Sequence, residues 1–145
     1  MRSAAIFKFA DRYVIHSDST SVHGFGIASD PYITLSLVSA MEDIVKSLLF
    51  AMNASKINVI VDVRSKTFLK EHLKFMGLKN RNELYTNSIC CSVYEKDNKI
   101  VLMASNNMGL SGGFTYPSEK KVEIASIASI EEICSALVEA LSRCE

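Results

Sequence analysis

Two segments with alternating apolar and polar residues flank a tight turn signal in the middle of the chain. In Ser88–Ser105 (SICCSVYEKDNKIVLMAS), this alternation runs up to Asp97 and Asn98 and resumes after them. Asp and Asn tolerate the positive φ angles of a two-residue hairpin turn, so the pattern predicts a β-hairpin. Both faces of the second strand are apolar, which predicts a central position in a sheet.

Helical periodicity predicts the elements that cover this hairpin, because two strands are not stable alone. Apolar residues recur at helical spacing over about 39–53, 66–76 and 130–144. Each of these segments has a broad apolar stripe, which suits a helix that lies on a sheet.

Capping residues sharpen the expected ends of these helices. Gly77 fits the position just after a helix, followed by Leu78 as in a Schellman motif. Three segments match the capping box, in which a polar side chain at the helix start is followed three residues later by Glu; they begin at Ser39, Asn80 and Ser129.

The rest of the chain is predicted to add short strands and two loops that contain glycine. Residues 18–32 and 105–121 are expected to be loops, the second with a short strand near Phe114–Tyr116. The predicted further strands are Ala4–Phe9, Tyr13–Ser17, Ile57–Val63 and Val122–Ala125. We therefore expect a mixed α+β fold, with residues 1–145 as a single domain.

Composition and charge exclude few functions. Apolar residues make up 48% of the chain, and 16 basic residues balance 16 acidic ones, so the net charge indicates no partner. The charges are unevenly placed, with seven basic and two acidic residues in 56–81, and five acidic residues and one Arg in 122–145. Each run predicts either a solvated helix face or a surface for a partner.

The N-terminal segment and the cysteines indicate a cytoplasmic protein. The first residues do not match a signal peptide, and the apolar run at 32–41 is too short to cross a bilayer. The four cysteines are then expected to be free thiols, with Cys90 and Cys91 on opposite faces of a strand. Their spacing fits neither a zinc site nor a disulfide, so no metal or cofactor is expected.

No catalytic motif is visible in the sequence. The glycine-rich stretch at 107–114 lacks the Lys and Ser or Thr of a phosphate-binding loop. His16 and His72 are expected to be structural, whereas His23 lies in a predicted loop. Two alternatives stay open at this point: a small enzyme that uses a Cys or His side chain, and a homodimeric adaptor protein.

Several stretches, taken in order, resemble the immunity proteins of bacterial contact-dependent growth inhibition (CDI) systems. The C-terminal stretch SIEEICSALVEALSRCE is the most suggestive, and residues 56–66 depart from the family pattern, which is loop-like and contains proline there. The other matching stretches are YVIHSDST at 13–20, Asp30-Pro31-Tyr32, LLFAMNAS at 48–55, 68–78, NRNELYTN at 80–87 and Gly112–Phe114.

The resemblance implies a binding function without catalysis. Such proteins bind the C-terminal toxin domain that a neighbouring cell delivers, commonly a nuclease, and neutralise it in the cytosol. The expected partner is therefore the cognate toxin domain, with no direct binding to nucleic acid or membrane. The resemblance leaves the oligomeric state open and transfers no binding residue, since toxin-contacting surfaces differ between members.

Charge and exposure supply the candidate contacts. A nuclease cleft is basic, so an inhibitor should present carboxylates for fast and specific association. The acidic candidates are Asp18, Asp30, Glu95, Asp97 and Glu119. A buried apolar centre should supply tight binding, and its candidates, in or beside loops with glycine, are Phe25, Tyr32 and Phe114.

Overall fold

The computed structural model describes residues 1–145 and contains one six-stranded antiparallel sheet with helices on both faces. Its strands are β1 (Arg2–Lys8), β2 (Arg12–Thr20), β3 (Gly26–Ser36), β4 (Ile89–Lys96), β5 (Lys99–Ala104) and β8 (Lys121–Ala125), and the short strands β6 (Asn106–Asn107) and β7 (Phe114–Thr115) pair separately. The helices are α1 (Met41–Asn53), α2 (Lys66–Met76), α3 (Arg81–Leu84), α4 (Gly109–Gly112) and α5 (Ile130–Arg143). The predicted α+β fold is confirmed.

The predicted hairpin lies inside the sheet. The strand order is β3-β2-β1-β4-β5-β8, so β4 pairs with β1 and β5 pairs with β8. Asp97 and Asn98 form the turn with φ values of 52° and 60°, as a primed two-residue turn requires. Both strands of the hairpin are interior, as their apolar faces predict.

The larger core lies between one face of the sheet and helices α1 and α5. Cys91, Val93 and Leu102 point from the central strands into this core. From α5, Leu137 and Ala140 meet them, and both are fully buried. These side chains stabilise the sheet through the apolar surface that they remove from water.

The opposite face carries a smaller apolar cluster. Cys90 points to this side, so the predicted opposite orientation of Cys90 and Cys91 is confirmed. Phe7, Val14 and Met76 belong to the same cluster, and Met76 comes from α2. Helix α2 therefore covers the second face of the sheet.

Three of the predicted helix ends are observed. Ser129 and Glu132 form both hydrogen bonds of a capping box at the start of α5. The Asn80 side chain accepts a hydrogen bond from the Glu83 amide at the start of α3. Gly77 ends α2 in the left-handed conformation, and the Leu78 amide donates to the Leu73 carbonyl, as in a Schellman motif.

The capping box predicted at Ser39 is wrong. Helix α1 begins one residue later than predicted, with Ala40 at its N-cap, and no side chain caps it. The Ser39 amide donates instead to the carbonyl of Ser36, which closes a turn at the end of β3. The residues from Ser39 to Glu42 fit the capping-box pattern without forming it, because the turn after β3 determines where α1 starts.

The loop predicted over residues 18–32 is also wrong for most of its length. Residues up to Thr20 continue β2, and β3 starts at Gly26, so the loop covers only 21–25. β3 lies at the edge of the sheet and has an irregularity, since Tyr32 pairs with His16 but Ser29 pairs with Ser17. A proline lacks the amide donor of a ladder, and an edge bulge of this kind accommodates Pro31.

The strand predicted at Ile57–Val63 is the third error. Only Val59 makes a β-bridge, to Ser21, and Asn58 has a φ of 56° that interrupts an extended chain. The Asp62 side chain then accepts from the Arg64 amide, which turns the chain again. Pairing with the end of β2 stops at this single bridge, so the β-branched residues of the segment form a loop. None of the helices has both the length and the hydropathy to cross a bilayer.

Candidate docking surface

An exposed apolar surface lies at one end of the sheet, where the β2–β3 loop meets the segment between α1 and α2. Ile60 is 85% exposed and Phe25 is 67% exposed. Exposed apolar patches of this kind mark interaction sites in soluble proteins. We call the surface the apolar loop surface, and it consists of Val22, Phe25, Ile57, Ile60, Val61 and Val63.

Backbone hydrogen bonds join the two loops that form this surface. The Val59 amide donates to the Thr20 carbonyl at 3.1 Å, and the Val22 amide donates to the Val59 carbonyl at 3.1 Å. The Thr20 amide also donates to the Lys56 carbonyl at 2.7 Å. The segment 56–59 is therefore fixed to the end of β2.

The side chain of Ser21 orders the tip of the β2–β3 loop. Its Oγ accepts from the Phe25 amide at 3.0 Å and from the His23 amide at 3.2 Å. The Ser21 amide donates to the Phe25 carbonyl at 2.8 Å. These bonds hold the backbone at Phe25 in place, which lowers the entropy that the loop loses when a partner binds.

A cleft of about 530 Å³ opens between the two loops. Phe25, Val61 and Phe68 line it, and Asp62 and Arg64 supply charged groups at its walls. Its volume is in the range of pockets that hold small molecules, about 300–1,000 Å³. The cleft can therefore accept one or two large side chains from a protein partner.

Three polar aromatic side chains meet between β2, β3 and α2. The Tyr32 Oη and His72 Nδ1 atoms are 2.6 Å apart. The ring centroid of His16 lies 5.4 Å from that of Tyr32 and 5.7 Å from that of His72. Asp18 Oδ1 lies 3.3 Å from His16 Nδ1.

Burial shifts the pKa values of His72 and Tyr32 in opposite directions. Desolvation is the main cause that lowers the pKa of His72 to about 4, and His16 adds to the effect. Burial raises the pKa of Tyr32 well above its ordinary value, with smaller contributions from Asp30 and Asp18. At neutral pH the Tyr32 hydroxyl therefore donates to a neutral His72, and the pKa of neither group lies near 7. This geometry favours the structural interpretation of His72.

The acidic candidates from the sequence do not form one patch. Asp30, Asp97 and Glu119 are exposed, but they lie on the edge strand β3, in the β4–β5 turn and in a short 3-10 helix, respectively. Asp18 is half-buried beside His16. Glu95 is half-buried and forms an ion pair with Arg2.

The three apolar candidates have different environments. Phe25 belongs to the apolar loop surface, and Tyr32 belongs to the polar cluster with His72. Phe114 is half-buried, with ring centroids 5.6 Å from Phe7 and 5.3 Å from Tyr85. Phe114 therefore packs at the border of the smaller core.

The environment of the cysteines disfavours a thiol nucleophile. Burial raises the pKa of Cys90 and of Cys91 well above the ordinary range. Burial also raises the pKa of Cys144, although Ser105 and Lys120 partly oppose it. A nucleophile must ionise to react, so these thiols remain protonated and inert at neutral pH. No three His, Cys, Asp or Glu side chains come together at metal-ligand spacing.

Five residues of the apolar loop surface were not among the sequence candidates, which included only Phe25. The available signal was the apolar run at 57–63, which indicated a strand. The sequence of a short β-branched run does not distinguish a strand that pairs in a sheet from a loop that exposes its apolar side chains. The missed residues are Val22, Ile57, Ile60, Val61 and Val63.

Two solved structures share this fold over almost the whole chain. A protein of unknown function from Neisseria meningitidis is 19% identical, with a TM-score of 0.81 and coverage of 99% of this chain and 95% of that one. A chain of the CdiA-CT/CdiI toxin and immunity complex from Yersinia pseudotuberculosis is 14% identical, with a TM-score of 0.78 and coverage of 99% and 97%. No curated protein matches the sequence significantly.

The family assignment comes from the sequence of the whole chain. Residues 2–144 match the family model of CdiI, described as CDI immunity protein. The match includes all of the elements of the sheet and the loops of the apolar loop surface. The resemblance noted from the sequence is thereby confirmed, and the chain belongs to the CDI immunity protein family.

Proposed function

We propose that this protein binds the C-terminal toxin domain of a CDI system in the cytosol and neutralises it by occupying its surface, without catalysis. Family membership supplies the class of function. The observation that carries the proposal is the apolar loop surface, which exposes Phe25 and Ile60 on loops that are held by backbone hydrogen bonds. A fixed and exposed apolar surface is suited to a protein partner.

The apolar loop surface has the features of an interface centre. Phe25 supplies an aromatic ring, and aromatic residues, Phe among them, are enriched at the cores of protein interfaces. The adjacent cleft gives a partner side chain a place to enter. Because Ser21 and Val59 already hold both loops, little ordering cost remains to be met on binding.

The Yersinia pseudotuberculosis structure supports a protein partner. That structure is a toxin and immunity complex, and its fold matches 99% of this chain. We infer that the partner here is likewise a toxin domain, and that this domain is a nuclease.

If the toxin is a nuclease, carboxylates should assist docking near its basic cleft. Asp30, Asp97 and Glu119 are exposed and are the acidic contacts that we propose. Asp18 and Glu95 are weaker candidates, because His16 and Arg2 already engage them. Tyr32 and Phe114 are proposed as lesser apolar contacts, since both are half-buried.

Co-expression tests the proposal. The C-terminal toxin fragment encoded directly upstream should be expressed in cells with and without this protein, while survival is scored and the protein is recovered by a tag on the toxin. We expect survival and co-purification only when both chains are present. Survival without co-purification would contradict neutralisation by binding, and death despite abundant folded protein would contradict the immunity function.

A further inference from the structure

The outer face of α2 carries three lysines at a spacing of four residues. Lys66, Lys70 and Lys74 are exposed along this face, and the exposed Lys79 follows just beyond the helix. None of the ion pairs in the structure includes any of these four lysines. Their charge is therefore available to a partner.

The fold does not account for this row of lysines. Ser65 caps the start of α2, Gly77 ends it, and Leu73 and Met76 anchor its inner face. Like charges four residues apart repel one another and destabilise a helix. The row therefore opposes the stability of α2, and Glu71 is the one acidic side chain of the helix that lies beside it.

The net charge of the chain is zero, but the basic and acidic residues are concentrated in different parts of the sequence. Residues 56–81 have seven basic and two acidic side chains, a net charge of +5. The rest of the chain has nine basic and fourteen acidic side chains, a net charge of −5. The field near α2 is thus strongly positive although the whole protein is neutral.

Apolar side chains accompany the lysines on the same face. A groove of about 580 Å³ runs along α2, and it is lined by the four lysines together with Leu69 and Leu78. No aromatic side chain lines this groove, whereas surfaces that bind single-stranded nucleic acid stack bases on aromatic rings. Apolar walls between cations suit a protein segment that alternates carboxylates with apolar residues.

We propose that this groove docks an acidic, partly apolar segment of the toxin domain. This inference rests on the proposed function, and it adds a contact area of opposite charge to the acidic candidates above. Lys66 starts α2 two residues after Arg64, which lines the cleft of the apolar loop surface. A single partner can therefore cover the apolar loop surface and the α2 groove together.

Charge reversal with a matched control tests the proposal. The variant Lys66→Glu/Lys70→Glu/Lys74→Glu removes the row, and Lys8→Glu/Lys46→Glu/Lys96→Glu changes exposed lysines elsewhere by the same total charge. Association with the purified toxin fragment should be followed by stopped flow at about 20 mM and about 300 mM salt. Circular dichroism and the urea midpoint establish that each variant is folded.

We expect the α2 variant to associate about tenfold or more slowly than the wild-type protein at low salt, because electrostatic steering accelerates association by about 10- to 1,000-fold. The difference in association rate between the wild-type protein and the α2 variant should shrink at high salt, and the control variant should not be slowed comparably.

Equal slowing in both variants, or none in the α2 variant, would overturn the inference while wild-type binding still supports the proposed function. Loss of all binding by the wild-type protein would instead refute the proposed function. A 20-nucleotide RNA or duplex DNA that binds the wild-type protein through these lysines, with toxin binding unaffected by their reversal, would assign the groove to nucleic acid and overturn the inference.

Discussion

The hydroxyl of Tyr32 on β3 lies 2.6 Å from Nδ1 of His72 on α2. This hydrogen bond joins the edge strand to the helix that covers the second face of the sheet. Phe75, which comes one turn later on α2, packs against the same Tyr32 ring with centroids 5.2 Å apart. The packing of α2 on β3 therefore depends on His72, whose charged form is disfavoured by burial.

This dependence predicts a loss of stability in mild acid. Burial lowers the pKa of His72 to about 4 from its ordinary 6.5, so between these pH values the unfolded chain binds a proton that the folded protein does not. The free energy of unfolding should therefore fall as the pH decreases through that window, by on the order of 1–2 kcal/mol from this residue because it keeps some contact with water.

Urea denaturation between pH 7 and pH 4 measures this effect. His72→Gln should flatten the pH dependence relative to the wild-type protein, whereas His23→Gln, which changes an exposed loop residue, should leave it unchanged. A pH dependence that is the same in the His72→Gln variant and the wild-type protein would contradict this account.

The observed caps predict different effects for two similar substitutions. Ser129→Ala removes a side chain that accepts from the Glu132 amide, so it should lower the free energy of unfolding by about 1 kcal/mol. Ser39→Ala should change it by less than about 0.5 kcal/mol, because Ser39 caps no helix in the structure. Equal costs for the two substitutions, measured by urea denaturation, would show that α1 starts at Ser39 after all.

Hydrogen exchange should distinguish the strands of the central hairpin from the segment 57–63. Amides of Ile89–Val93 and Ile100–Met103 lie in interior strands and should exchange only on near-global unfolding. Amides of residues 60–63 should exchange many times faster, whereas that of Val59, which donates to Thr20, should show intermediate protection. Slow exchange throughout 57–63 would restore the strand that the sequence indicated.

Substitution of the reactive residue types should leave immunity intact. The thiols of Cys90 and Cys91 are buried and protonated, and His23 is exposed on the β2–β3 loop. Cys90→Ala and Cys91→Ala should each protect cells that express the toxin, provided that the variant folds. His23→Gln changes a residue that lines the docking cleft, and it should protect wherever the folded variant still binds the toxin. A folded variant that still binds the toxin but fails to protect would favour a catalytic function.

The sequence predicts the interior of this fold better than its margins. The hairpin and the caps at Ser129 and Gly77 depend on local rules, since turn residues and capping side chains act within a few residues. The first part of β3 escaped prediction because edge strands tolerate the small polar residues and Pro31 that otherwise signal a loop. The segment 57–63 was wrongly assigned because pairing depends on a partner strand that its own residues do not specify.

The candidate surface was still harder to predict. Phe25 was identified because it stands between glycines in a loop, but the contribution of Ile60 depends on a contact between segments about 35 residues apart. The hydrogen bonds between Val59 and the end of β2 create the surface, and no periodic pattern encodes them. The basic run at 56–81 is visible in the sequence. Only the structure shows that the lysines of α2 make no ion pairs.

The most direct test of the central claim is the affinity of the purified toxin fragment for two matched surface variants, measured by isothermal titration calorimetry. Phe25→Ser/Ile60→Ser/Val61→Ser removes the middle of the apolar loop surface, and Val38→Ser/Ile127→Ser/Val138→Ser changes three exposed apolar residues outside it. We expect the first variant to fold normally and to bind about 100-fold or more weakly, because interface centres dominate binding energy, and the second to bind within about threefold of the wild-type protein. Unchanged affinity in the first variant, with strong binding by the wild-type protein, would contradict the assignment of the apolar loop surface as the toxin-docking site.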